Sequence, residues 1–101
     1  MFNINSIIYQ MLAALSVAYG PKWGNVKNIA EDYFNETRER LEELAKQALD
    51  GRPLIEVKEF LAAELDILKS HLFAAQVLVE SEVEQAVNAA VEIFEKLVTP
   101  K

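Results

Sequence analysis

The stretch Leu72–Glu84, LFAAQVLVESEVE, decides the fold, because the chain either runs through it as one helix or turns back on itself there. It holds neither Gly nor Pro, and the apolar positions around it stay in phase. Leu54, Val57, Leu61, Leu65, Leu68, Leu72, Ala75, Val79, Val83, Ala86, Ala90, Phe94 and Leu97 step by three or four residues. At 100° per residue they keep to one face. Against continuity stands Ser81-Glu82-Val83-Glu84, which matches the S-x-x-E box that opens helices. Unbroken phase and the lack of a loop residue favour a single helix over 53–98, with a hairpin at Glu80–Glu82 as the competing reading. Such a helix would be about 65–70 Å long, against a radius of gyration of about 13 Å for a compact domain of this size. Its stripe would then need an identical chain, packed antiparallel about a two-fold axis. In the hairpin case four helices close on themselves.

Upstream, Asp50-Gly51-Arg52-Pro53 ends one helix and starts the next, with Gly just past the end and Pro at the new beginning. The pattern Val26, Ile29, Ala30, Tyr33, Phe34, Thr37, Leu41, Leu44, Ala45 and Ala48 predicts a second helix over about 25–50, with Asn25 as its N-cap. Residues 21–25, PKWGN, read as a linker.

From Met1 to Pro21 the chain carries no Asp, Glu, Lys, Arg or His. A secretory signal would need a basic start and an unbroken apolar run; Asn3, Asn5, Ser6 and Gln10 interrupt this one. A spanning helix needs about 20 mostly apolar residues, and Ile7–Tyr19 supplies fewer. A helix over about 4–19 explains more: Ile4, Ile7, Ile8, Met11, Leu12, Leu15, Ala18 and Tyr19 form an apolar stripe beside a thin polar strip of Asn3, Ser6 and Gln10. Gly20-Pro21 stops it. Most of its circumference is expected to be covered by other helices, some of them from a second chain.

Composition narrows the function classes. The absence of cysteine excludes thiol chemistry and Cys-based zinc sites. The formal net charge of −6 divides as +1 over residues 1–23, −3 over 24–50 and −4 over 51–101. No segment offers phosphates a basic surface, so neither nucleic acid nor an anionic bilayer is an expected partner.

Among the carboxylates, Asp32, Glu36, Glu39 and Glu43 make a stripe at helical spacing, followed by Glu56, Glu59, Glu64 and Asp66. Ferritin-type di-iron sites need two Glu-x-x-His motifs, and the chain has a single histidine, His71. Glu39, Glu42 and Glu43 followed by Glu64 and Asp66 resemble the Mg²⁺ carboxylates of all-α nucleoside triphosphate pyrophosphohydrolases, which would imply a nucleotide hydrolase. The departure is that Glu64 and Asp66 lie two apart, about 200° around a helix. A solvated acidic face with Glu36–Arg40 and Glu42–Lys46 pairs at i, i+4 is the simpler expectation. Trp23 is expected to plug the end of the bundle.

These observations predict an all-α antiparallel bundle of three to four helices (about 4–19, 25–50 and 53–98, with a possible break near Ser81) in one domain, completed by dimerisation. The expected role is an acidic homodimeric interaction module of the cytoplasm, with no catalytic machinery, metal or cofactor. Its candidate interface residues are Ile8, Leu12, Leu15, Trp23, Leu68, Leu72, Val79, Val83, Ala90 and Phe94. The competing roles are the Mg²⁺-dependent hydrolase, a carrier of a small apolar ligand between helices, and a peripheral membrane binder using the first helix.

Overall fold

A computed structural model describes residues 3–99. They form four α-helices, α1 (Ile4–Tyr19), α2 (Lys27–Leu49), α3 (Leu54–Ala75) and α4 (Glu80–Val98), with a 3-10 segment at Gly20–Asn25. No strand occurs among the described residues.

Each boundary has a local cause. Asn3 caps α1, its side-chain oxygen accepting from the Asn5 N–H at 2.9 Å. At its other end Gly20 takes φ 59°, ψ −132°, a positive-φ conformation that L side chains avoid, although a Cβ there would meet no neighbour. After α2, the Arg52 N–H bonds the Gln47 carbonyl and the Gly51 N–H bonds that of Ala48, with Gly51 at φ 104°. This is the paired C-terminal closure that favours glycine at its centre.

Asn25 does not cap α2. It ends the 3-10 segment, and α2 starts after Val26 with no side-chain cap. The linker is itself helical because Pro21 presets φ at its first turn and Trp23 folds back onto the core, 6.3 Å from the Tyr19 ring.

The continuous helix over 53–98 is not found. Gln76 turns left-handed at φ 55°, ψ 30°, its N–H bonds the Phe73 carbonyl, and α4 begins four residues later. The break precedes Ser81, which lies inside α4; the cap position is Val79, without a side-chain bond. Glu80 and Glu82 sit in the first turn instead, where negative charge suits the helix dipole. Residues 76–79 amount to about one helical turn, so the apolar phase survives the reversal. Val77 and Leu78 pack on the core across it.

The helices follow one another antiparallel around a square. Asn5 of α1 meets Arg38 of α2 at 2.7 Å, whereas Leu12 and Ser16 lie beside Glu31 and Lys27. Lys58, early in α3, pairs with Glu95, late in α4, at 3.1 Å. The most closely packed pair is α1 with α4, where the fully buried Ala86 and Ala90 let the backbones approach.

Met11, Leu15, Phe34, Leu41, Leu44, Leu61, Leu65, Leu68, Leu72 and Phe94 fill one core, and no polar or charged residue is buried among the described ones. The radius of gyration is 13.1 Å, as expected for about 100 compact residues. The surface of 6162 Å² is close to the roughly 5,800 Å² of a folded monomer of this mass. The core therefore closes within one chain, and the stripe of α3 and α4 does not itself call for a second copy.

Candidate interaction surfaces

Burial sorts the candidate interface residues. Ile8, Leu15, Leu68, Leu72, Val83, Ala90 and Phe94 lie in the chain's own core, Leu12 and Trp23 are half-buried against it, and Val79 stands exposed in the turn between α3 and α4. A partner could reach the first seven only by opening the bundle. Besides Val79, and Leu49 and Ile55 flanking the α2–α3 turn, exposed apolar residues lie on two helix faces that periodicity did not single out.

The first is the outward face of α1. Asn5, Ser6, Tyr9, Gln10, Ala13, Val17 and Ala18 are exposed, Tyr9 and Val17 at 76% and 83%. The helix is thus covered on one side only, and the expectation of cover around most of its circumference is not met within the chain. Tyr9, Ala13 and Val17 fall in line at i, i+4 and i+8. A cleft of about 340 Å³ runs beside them, with Leu12, Ser16 and Trp23 on α1 and its following turn, and Lys27 and Glu31 on α2. Interrupted hydrophobicity around Asn5, Ser6 and Gln10 was the sequence signal for this exposure; Tyr9 and Val17 gave none.

The second face lies between α2 and α3, where an open cleft of about 470 Å³ is lined by Ile29, Asp32, Tyr33, Glu36 and Thr37 from α2 and by Ile67 and His71 from α3. Its floor is fixed by Tyr33. The hydroxyl donates to the Glu64 carbonyl and the ring stands edge-on to Phe34, 5.4 Å between centroids. Burial, then the nearby Glu64 carboxylate, push the Tyr33 pKa up to about 12. Tyr33 is thus a neutral donor tying α2 to α3 rather than an acid or base for neutral-pH chemistry.

The acidic stripe is mostly solvated. Glu42 pairs with Lys46 at 3.3 Å as its spacing predicts. Glu36 does not pair with Arg40, which turns instead to Glu43 and to Glu64 of α3, each at 3.4 Å. Reaching Glu64 links two helices, a geometry that spacing within one helix cannot reveal. Among the described residues no three His, Asp or Glu side chains converge as metal ligands. The seam between α3 and α4 around Leu54, Leu61, Val91 and Phe94 is filled too tightly to admit a water. Among the described residues, no helix is long and apolar enough to cross a membrane.

Scans against protein-family models, curated proteins and solved structures return no match.

Proposed function

We propose that this chain is a small acidic assembly module that pairs with a second copy of itself through the outward face of α1, without catalytic machinery. One observation carries the reading: the exposed face of α1 is free of charge in a chain of net charge −6. Two copies of an acidic protein repel wherever their acidic faces meet. A helix face of Tyr, Ala, Val, Ser, Asn and Gln removes that term and supplies apolar contact, with Tyr9 as the large aromatic anchor. Ala13 lies midway between Tyr9 and Val17. An antiparallel α1 pair centred there sets Tyr9 of each copy against Val17 of the other, the reciprocal contact a two-fold interface requires. The cytoplasm is its proposed place of action.

Val17→Lys tests the reading. Val17 is 83% exposed, so the monomer fold should change by less than about 0.5 kcal/mol. The variant should melt as a bundle while its self-association weakens at least tenfold on dilution through a sizing column. Unchanged self-association would remove α1 from the interface.

A further inference from the structure

We propose that the cleft between α2 and α3 is a docking groove for an amphipathic, positively charged helix of another protein. The inference is independent of the pairing through α1. On α3 the cleft is lined by Ile67 and His71, and the exposed Ala63 and Ala74 continue the row at helical spacing; the row ends at Phe60, whose ring is covered by the Arg52 guanidinium at 5.5 Å. Ile67 is 54% exposed. The other side is the row Asp32, Glu36, Glu39 and Glu43 along α2.

Of these four carboxylates only Glu43 has an ion-pair partner among the described residues, Arg40. Asp32 and Glu36 line the cleft itself, beside Ile29 and Tyr33. An apolar floor edged by unpaired negative charge is complementary to a helix with aliphatic side chains at i, i+3, i+4 and i+7 and lysines or arginines along one flank. From Ala63 to Ala74 the row runs about 16 Å at 1.5 Å per residue, enough for some three turns of a guest helix. The acidic row confers the preference for a basic partner and its salt dependence. The exposed Ile67 supplies the contact that excludes water.

The test uses the full chain and a synthetic 16-residue helix with leucines at those spacings and lysines on one flank, beside a twin in which glutamates replace the lysines. The lysine peptide should bind with amide shifts centred on Ile29, Asp32, Glu36, Ile67 and His71, and the glutamate twin should bind at least tenfold more weakly. Ile67→Lys, at an exposed site, should keep the parent's melt and lose at least tenfold in affinity. The double variant Asp32→Asn, Glu36→Gln should bind more weakly and respond less to salt. Val17→Lys on α1 should bind like the parent. Equal binding of both peptides, full affinity in Ile67→Lys, or shifts centred on α1 would each overturn the proposal.

Discussion

Two tyrosines with opposite hydrogen-bond fates set the clearest tests at the level of single residues. Tyr33 donates across the bundle to the Glu64 carbonyl, whereas the Tyr19 hydroxyl is buried with no partner among the described residues. A made cross-helix bond contributes about 1 kcal/mol, and an orphaned buried polar group costs about 1–3. Tyr33→Phe should therefore destabilise at neutral pH, and Tyr19→Phe should be neutral or stabilising, as read by urea denaturation. Alkaline pH separates the tyrosines further. A folded pKa raised from 10.0 to about 12 gives stability that is complete below pH 10 and is lost as pH rises toward 12, because the unfolded chain releases its proton first. The parent should lose stability between pH 10 and 12, and Tyr33→Phe should lose less over the same window. Equal slopes would deny that Tyr33 holds its proton in the fold. Burial also raises the Tyr19 pKa, so part of the slope should persist in Tyr33→Phe.

Helix ends show how far the sequence was legible. The α2–α3 boundary could be read from Gly51 and Pro53, and the end of α1 from Gly20-Pro21, because those residue types have backbone preferences strong enough to punctuate a chain. The α3–α4 turn could not, since the left-handed position is filled by Gln76, a residue with no such preference, and the turn preserves the apolar phase. A capping box drew attention to Ser81, yet the helix starts one residue before it. Tertiary closure decides here: a short turn lets α4 bury Val83, Ala86, Val87 and Phe94 against the chain's own core. On both candidate faces the polar half was legible, in Ser6 and Gln10 of α1 and in the acidic row of α2, and the apolar half was not. Periodicity marks what is buried, so Tyr9, Val17 and Ile67 drew no attention as apolar residues facing outward. If Gln76 is held in an unfavourable conformation, Gln76→Gly should stabilise by about 0.5–1 kcal/mol, the left-handed penalty less the added entropy of glycine. That is several degrees in melting temperature for a domain of this size. A lower melting temperature would show that the Gln76 side chain contributes more than its backbone costs.

Over the whole molecule, shape and charge point in different directions. A radius of gyration of 13.1 Å and a core drawn from all four helices describe a chain that folds alone. The proposed pairing would thus be an added property of the surface, its strength set by the α1 contact against the mutual repulsion of two chains of charge −6. A standard interface of about 800 Å² per partner would cover roughly an eighth of the 6162 Å² surface, which one helix face and its flanks can supply. Salt then separates the two proposed surfaces. Screening shortens to a Debye length of about 10 Å at 0.1 M and 3 Å at 1 M, so added salt should tighten the α1 pair by damping repulsion and loosen a basic helix in the α2–α3 groove. Whether the chain pairs at all is read by sedimentation equilibrium of the unaltered protein, from low to high micromolar concentration in 0.05 M and 0.5 M salt. The mass should rise from the 11.4 kDa of one chain toward twice that value, with the rise moving to lower concentration in the higher salt. A mass that stays at 11.4 kDa throughout would rule out pairing through α1.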